Sequence, residues 1–331
     1  MRLGRLGGMA AMLLAVLVLA SVASAAINIE TVLVDNPGNP KDPATGSVFG
    51  QVNYAYYIGK YEVTAGQYTA FLNAVAKTDT YGLYNTNMSN TTQGSGISRS
   101  GSPGSYTYSV HPAFVNRPVN YVSFGDAMRF ANWLHNGQPT GPQNASTTED
   151  GAYFVNGATS DAALQAVTRK AGWTWAVTSE NEWYKAAYYN PATSSYYLYP
   201  TSSNTVPGRS LADLSGNNAN YYGSPYPIQS PYYTTIVGEF QNSDSPYGTF
   251  DQGGNVLEWN EAVIGSSRGL RGGSFDFDST SLRSLNRYGI NARLEDKNIG
   301  FRVVQVPEPA SLTLLALGGV AMFVRRRGAL R

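Results

Sequence analysis

The sequence predicts a loop-rich α+β domain with short strands and few helices. Tyrosine accounts for 24 of the 331 residues and glycine for 35, whereas only 14% of the residues are charged. Aromatic residues favour strands and glycine favours turns, so this composition argues against a helical bundle. Two further observations support the prediction: a small set of capped helices, and short aromatic segments separated by long polar stretches.

Three helices are predicted by the same N-terminal signal. In each, a hydroxyl residue is followed three positions later by a side chain that can bond back to the cap, ahead of apolar residues at helical spacing. These capping boxes are Thr64 with Gln67, Ser123 with Asp126, and Ser179 with Glu182. Asp126 replaces the usual Glu or Gln, so the second box is the weakest by sequence.

Strands are predicted where aromatic and β-branched residues cluster. These segments are residues 54–61, 173–177, 256–259, 269–275 and 300–306. Polar stretches rich in Ser, Thr, Asn and Gly separate them, at residues 85–109, 143–161 and 192–207. Loops of this length are usually functional or partly disordered. Without a clear repeat or linker, we expect one domain over residues 50–305, preceded by a turn-rich loop at residues 26–49.

The first 25 residues predict a secretory signal peptide. Arg2 and Arg5 precede an apolar stretch at residues 9–22, which ends in the small residues Ala-Ser-Ala at 23–25. A basic start, a short apolar run and an A-x-A site are the parts of such a peptide, which signal peptidase removes. The alternative is a membrane anchor helix. Because the chain has no cysteine, the exported protein has no disulfides and depends on its core for stability.

The C-terminus carries a second targeting signal in three parts. These are the motif Val306-Pro307-Glu308-Pro309, an apolar run at residues 310–324, and the cluster Arg325, Arg326 and Arg327. The run is shorter than the about 20 residues that span a bilayer comfortably, and the arginines would hold its end in the cytoplasm. The tail resembles the PEP-CTERM sorting signal, which implies processing by an exosortase in a Gram-negative bacterium with an extracellular polysaccharide matrix. The alternative is an ordinary tail anchor.

Several function classes lack their sequence signals. The net charge is +1 with no basic stripe, so no nucleic acid partner is expected. His111 and His135 are too few for a zinc site without carboxylates. Ser274 has no obvious histidine partner. Glu295 and Asp296 leave a carboxylate-based hydrolase open, since a glycosidase needs two carboxyl groups at a set separation.

Ordered blocks of the sequence resemble the formylglycine-generating enzymes, also called sulfatase-modifying-factor domains. The blocks are residues 57–64 (YIGKYEVT), 117–127 (RPVNYVSFGDA), 178–183 (TSENEW), 254–259 (GNVLEW), 271–275 (RGGSF) and 300–303 (GFRV). The resemblance covers most of the predicted domain. It implies a C-type-lectin-like α+β fold with little regular secondary structure and long loops.

The resemblance also implies two structural calcium sites. The first would use the carboxylates of Asp251 and Glu258 with the carbonyls of Gly254 and Val256. The second would use Asn220 and the carbonyl of Tyr221, with Asp244 as the nearest acid. Calcium takes six to eight oxygen ligands, and mixed carboxylate and carbonyl shells suit it. The alternative is that Asp251 caps a turn and Glu258 makes an inward salt bridge.

The family's catalytic pair does not carry over to this sequence. Those enzymes oxidise a substrate cysteine through copper held by two of their own cysteines, which follow the Arg-Gly-Gly-Ser motif. The matching positions fall near Phe277 and Leu282. Thiolates are the soft ligands that select Cu(I), so we expect no copper and no oxidase chemistry.

A tyrosine-rich middle segment predicts a ligand surface, with core and loop packing as the alternative. The candidates are Tyr196, Tyr197, Tyr222, Tyr226, Tyr232 and Tyr233, since tyrosine offers a flat apolar face and a hydroxyl. We therefore expect an exported, non-catalytic binding or structural module of the cell envelope or extracellular matrix. Its partner would be an extracellular polysaccharide or an envelope protein. The rival interpretation is an enzyme, either a divergent formylglycine-generating oxidase or a carboxylate-based hydrolase.

Overall fold

The computed structural model describes residues 26–306, which form short helices and strands joined by long connections. The predicted signal peptide and the sorting tail beyond Val306 lie outside the described residues. The strands are β1 (Thr31–Val34), β2 (Tyr56–Gly59), β3 (Ile97–Ser100), β4 (Thr107–Val110), β5 (Trp175–Val177), β6 (Tyr189–Asn190), β7 (Ser195–Tyr196), β8 (Leu257–Ile264), β9 (Ser267–Arg271), β10 (Tyr288–Ile290), β11 (Ile299–Gly300) and β12 (Val303–Gln305). The helices are α1 (Ala65–Val75), α2 (Phe124–His135), α3 (Asp161–Ala166) and α4 (Glu180–Tyr188).

The first sheet has the strand order β1-β2-β12-β5, and each neighbouring pair is antiparallel. Ile58 of β2 lies opposite Val304 of β12, which in turn lies opposite Ala176 of β5. All three are fully buried, so this face of the sheet contributes to the main core. The last described strand therefore lies inside the sheet, between two strands from much earlier in the chain.

The second sheet has the order β10-β9-β8-β11, with β8 and β9 as an antiparallel hairpin and β11 parallel to β8. The chain passes directly from β11 in this sheet to β12 in the first sheet, through Phe301 and Arg302. Phe301 packs edge-on against Phe130 of α2, with ring centroids 5.4 Å apart, and Phe130 in turn packs edge-on against Phe71 at 5.3 Å. This crossover holds the two sheets together.

All three predicted capping boxes are present. In each, the hydroxyl accepts the N3 amide hydrogen and the N3 side chain accepts the cap amide hydrogen, including the Ser123 and Asp126 pair that looked weakest by sequence. Capping is local, so a sequence of four residues is enough to specify it. The helices begin at Ala65, Phe124 and Glu180, directly after their caps.

Each predicted strand overlaps a strand of the structure, but the predicted bounds differ from the observed ones. The predicted strand at 300–306 is divided between β11 and β12, because Phe301 and Arg302 carry the chain from one sheet to the other. The stretch at 85–109 contains β3 and part of its partner β4, and the N-terminal loop at 26–49 contains β1. Among the residues that the structure describes, no helix is long and apolar enough to cross a membrane.

Candidate functional site

The GNVLEW and RGGSF motifs meet in the second sheet, where Glu258 of β8 lies opposite Arg271 of β9. Gly254 has φ +92°, and a Cβ there would come within 2.2 Å of the Asn220 carbonyl oxygen, so glycine is required. The Gly254 amide also donates to the Gly272 carbonyl at 2.9 Å. These contacts place the Asn220 loop against both motifs.

Glu258 makes a buried salt bridge with Arg302. The guanidinium Nε and Nη2 each donate to a different oxygen of Glu258 at 2.6 Å, and neither residue is exposed. The Trp183 indole donates to the same carboxylate at 2.7 Å. Both oxygens of Glu258 therefore accept hydrogen bonds from protein donors. This is the inward salt bridge that was predicted as the alternative to a calcium ligand.

Glu62 lies next to this pair and has no hydrogen-bond partner on either carboxylate oxygen, although only 2% of the residue is exposed. Burial and the nearby Asp251 carboxylate raise the pKa of Glu62 well above its usual range, against the opposing effect of Arg302. A buried carboxylate without a donor is costly, so this group needs a proton or a cation.

Asp251 is the second acid of this group. Burial raises its pKa to about 6, although the Gly238 amide donates to its Oδ2 at 2.6 Å and lowers the pKa. Its backbone has φ +61°. Asp251 therefore accepts a hydrogen bond from a turn amide, as the alternative predicted, and its charge also raises the pKa of Glu62. We define Glu62 and Asp251 as the acidic pair. Glu62 was not among the predicted site residues, because it lies almost 190 residues before Asp251 in the sequence.

The predicted second calcium site contains unpartnered polar atoms too. Asn220 donates to the Tyr233 carbonyl at 2.9 Å and to the Asn255 side-chain oxygen at 3.2 Å, and that oxygen also accepts the Thr235 amide at 2.9 Å. The buried Asn220 Oδ1, Asn255 Nδ2 and Thr235 hydroxyl have no partner among the described residues.

Two other residues were assigned to this second site, through the Tyr221 carbonyl and the Asp244 carboxylate, and other groups of both residues make hydrogen bonds. Tyr221 donates its hydroxyl to the Pro207 carbonyl at 2.6 Å, and the main chain of Asp244 accepts from Ser202 at 2.9 Å. The hydrogen bonds of Asn220 connect it to the loop at residues 233–235. Within residues 26–306, no three His, Asp or Glu side chains converge as a metal centre would require. A cation here would depend on carbonyl and amide oxygens.

The positions near which the resemblance places the family's cysteines are occupied by apolar side chains. Leu282 is fully buried against Tyr199, Ala219 and Tyr221. Phe277 packs on Tyr288 with ring centroids 5.6 Å apart. The chain contains no cysteine at all. This part of the fold therefore has no sulfur ligand, and apolar side chains fill it.

An aromatic ladder lies beside Phe277 and consists of Tyr222, Tyr226, Tyr233 and Phe275. Successive ring centroids are 5.0, 5.2 and 5.9 Å apart. Tyr222 is 43% exposed, and its amide donates to the Phe277 carbonyl at 2.7 Å. The ladder therefore runs from the exposed ring of Tyr222 to the buried ring of Phe275.

Two charged residues flank the ladder. Tyr226 donates its hydroxyl to Asp276 at 2.9 Å, and Asp276 pairs with Lys297 at 3.0 Å. The Lys297 ammonium also lies 6.0 Å from the ring centroid of Phe275. The surface thus combines aromatic faces with one hydrogen-bonding acid and one cation.

The remaining predicted tyrosines lie elsewhere. Tyr232 packs on Phe114 and Arg117, at 5.4 and 4.1 Å. Tyr196 packs on Tyr184 and donates to the Pro40 carbonyl at 2.6 Å, and Tyr197 accepts from Asn190 at 3.1 Å. Of the six predicted tyrosines, three therefore lie together in the ladder and three make contacts elsewhere.

Two catalytic alternatives were considered, a serine activated by a histidine and a pair of carboxylates that includes Glu295. Ser274 is buried, His111 caps a short 3₁₀ helix, and His135 bonds to Thr174, so no histidine reaches the serine. Glu295 shares a cavity of about 230 Å³ with Asp126 rather than with Asp296. Burial and the Asp126 charge raise the pKa of Glu295 to about 8, and burial raises the pKa of Asp126 to about 6.

Comparisons with solved structures find several proteins that are similar to this chain. Treponema denticola variable protein 1 is 19% identical, with a TM-score of 0.51 over 84% of this chain and 95% of that one. CarF is 20% identical, with a TM-score of 0.50 over 85% and 99%. PvdO from Pseudomonas aeruginosa is 19% identical, with a TM-score of 0.45 over 77% and 82%. At these identities the likeness concerns the fold alone.

No curated protein sequence gives a significant match. Two family models do match. The sulfatase-modifying factor enzyme 1-like domain matches residues 42–307, and the PEP-CTERM protein-sorting motif matches residues 305–327. The sorting motif indicates export, a C-terminal tail in the membrane and an exosortase as processing partner. The chain therefore belongs to the sulfatase-modifying factor enzyme 1-like domain family, without a cysteine and with a PEP-CTERM sorting tail.

Proposed function

We propose that this protein is an exported, non-catalytic binding module whose ligand contacts the aromatic ladder. The observation that carries the proposal is the apolar filling at Phe277 and Leu282, directly beside exposed aromatic rings. In the resemblance described above, these positions would hold the copper. Here they support a surface that can bind a ligand but has no group to oxidise it.

The ladder favours an extracellular polysaccharide of the matrix as the ligand. The flat faces of Tyr222 and Tyr226 can stack on the apolar faces of sugar rings, while Asp276 and Lys297 can exchange hydrogen bonds with hydroxyl groups. An envelope protein is the second ligand class, because tyrosines are also enriched in protein interfaces. The sorting signal would deliver the domain to either ligand.

Calcium bound at the acidic pair would hold the loops of this surface. Glu62 offers two buried carboxylate oxygens without a donor, and the carboxylate of Asp251 accepts one amide hydrogen bond, which fits a hard cation that prefers oxygen ligands. The predicted carbonyls of Gly254 and Val256 lie on the same loop as Asp251. We leave Glu258 out of the proposed shell, because both of its oxygens already accept hydrogen bonds from Arg302 or Trp183. The bound ion would neutralise the pair and fix the turn that precedes β8.

Retention on extracted matrix polysaccharide tests the proposal. Tyr222→Ala and Tyr226→Ala together should abolish retention, whereas Leu214→Ala, at an exposed position outside the ladder, should leave it unchanged. Retention that survives the double change would remove the ladder as the binding surface. If the purified protein took up copper and converted a cysteine-containing peptide to formylglycine, the non-catalytic proposal itself would fail.

A second candidate is a hydrolase that uses Glu295 and Asp126. These two acids line one cavity, and their raised pKa values differ, which is the pattern of an acid and base pair. The test is release of reducing ends from the same polysaccharide. Activity that Glu295→Gln abolishes would support the hydrolase, and no activity in the unmodified protein would reject it.

A further inference from the structure

We infer that the face around the end of β12 docks on the surface of the lipid bilayer. This exit face consists of Leu33, Tyr57, Trp173 and Trp175. Its occupant is the membrane that holds the C-terminal tail. The inference concerns a surface separate from the aromatic ladder and does not depend on the ligand proposed above.

The short chain segment between the first sheet and the tail limits how far the domain can lie from the membrane. β12 ends at Gln305, and the Val306 amide still donates to the Thr174 carbonyl at 3.1 Å, so Val306 is fixed to the domain. The apolar run of the tail begins at Ala310. The four residue steps from Val306 to Ala310 can span at most about 14 Å. A headgroup layer is roughly 5–8 Å thick, so the tail holds this end of the sheet at the membrane surface.

The strand register places the face around that exit point. Leu33 of β1 lies opposite Tyr57 of β2, Tyr57 lies opposite Gln305, and Gln305 lies opposite Trp175 of β5. Residues directly opposite each other in neighbouring strands project to the same side. One row of side chains therefore crosses all four strands of the sheet, and the chain leaves from its third member.

The side chains of this row suit a bilayer interface. Leu33 is 45% exposed, and Tyr57, Trp173 and Trp175 are partly exposed. The Tyr57 hydroxyl and the two indole N–H groups make no hydrogen bond to any described residue, so they are available to headgroups. Tyrosine and tryptophan concentrate where an apolar phase meets a wet one.

Charge contributes little to this face. The neighbouring Lys170 is paired with Asp150 at 2.5 Å. Arg169 stacks on Trp173 at 4.2 Å, and its guanidinium is paired with Glu182 and Glu261. No free cationic cluster therefore surrounds the exit among the described residues. Docking would depend on aromatic insertion and should resist salt, unlike attraction to anionic lipids.

The absence of cysteine allows a direct test. We would place a single NBD fluorophore at Leu33→Cys, or at Leu285→Cys as a control that is 54% exposed elsewhere. The exported chain, with its tail intact, would be reconstituted in zwitterionic nanodiscs with and without brominated lipid. We expect the label at position 33 to lose more than half of its fluorescence, and the label at 285 less than a tenth. Equal quenching at both positions would overturn the inference.

A second arm separates docking from tethering alone. Tyr57→Ser with Trp175→Ser, added to the Leu33→Cys chain, should reduce the quenching at least twofold, with near-ultraviolet circular dichroism used to confirm the fold. Unchanged quenching would show that the tail alone positions this end, and the docking face would be rejected. Quenching abolished by 0.5 M salt would point to charge and would equally reject it.

Discussion

Arg302 and Glu258 bind each other through two hydrogen bonds of 2.6 Å, fully buried at the point where the chain passes between the sheets. The same guanidinium donates to the carbonyls of Gly59 and Phe250, at 3.0 and 2.9 Å. One side chain therefore connects β8, the end of β2 and the loop that leads to Asp251. The acidic pair lies beside this connection.

Glu258→Ala should cost about 3–5 kcal/mol in the free energy of unfolding, because Arg302 would remain buried without its partner. Urea unfolding gives the measurement. Glu30→Ala is the matched control, since its bond to Lys60 is exposed and should be worth no more than about 1 kcal/mol. Similar losses in the two variants would contradict a structural role for the Arg302 pair.

Leu282→Ala should cost about 2–5 kcal/mol, because it leaves a cavity where the side chain packs on Tyr199 and Tyr221. Leu285→Ala, three residues later and 54% exposed, should change stability by no more than about 0.5 kcal/mol. Both values come from thermal or urea unfolding. A small loss at Leu282 would mean that the position is not packed as described.

Calcium should raise the melting temperature of the unmodified protein, and chelation should reverse the increase. At a free concentration of 100 times Kd, a single site contributes about 2.7 kcal/mol. Glu62→Gln should abolish the shift, because it removes a buried carboxylate that would ligate the ion. Glu30→Gln, an exposed acid, should leave it intact. If calcium does not change the melting temperature of the unmodified protein, the proposed calcium site is refuted.

The sequence predicted local features such as helix caps. It could not predict contacts between residues that lie far apart in the chain. The Thr64 and Gln67 cap was predictable because its two hydrogen bonds lie within four residues. Glu62 was not, because nothing near it in sequence reveals that Asp251 lies beside it in the fold. The central place of β12 depends likewise on pairing with strands far upstream.

The candidate surface shows the same limit. Composition indicated many tyrosines but could not show which of them share a surface. Tyr222, Tyr226 and Tyr233 come together only because the loop that carries them folds over Phe275, whereas Tyr196 is drawn away by its contact with Pro40. The sequence identifies the tyrosines, but only the fold shows which of them lie together.

The free energy of unfolding should fall as pH rises, because Glu295 holds a proton in the folded protein. Burial and Asp126 raise its pKa to about 8 in the folded protein, above the about 4.3 of an unfolded chain. The folded state therefore binds this proton more tightly. Its contribution is fully present below about pH 4 and is lost progressively as pH rises through 8. We expect the melting temperature to fall across this window, by about 2–4 °C for each kcal/mol lost.

Glu295→Gln should remove this part of the pH dependence while keeping an oxygen to accept the Asn85 amide bond. Differential scanning calorimetry at closely spaced pH values between 4 and 8 would measure the slope in both proteins. Asp296→Asn, at the adjacent position, is the control and should retain the slope. If Glu295→Gln follows the same curve as the unmodified protein, the carboxyl group does not hold its proton in the fold, and the acid and base pair at this cavity loses its basis.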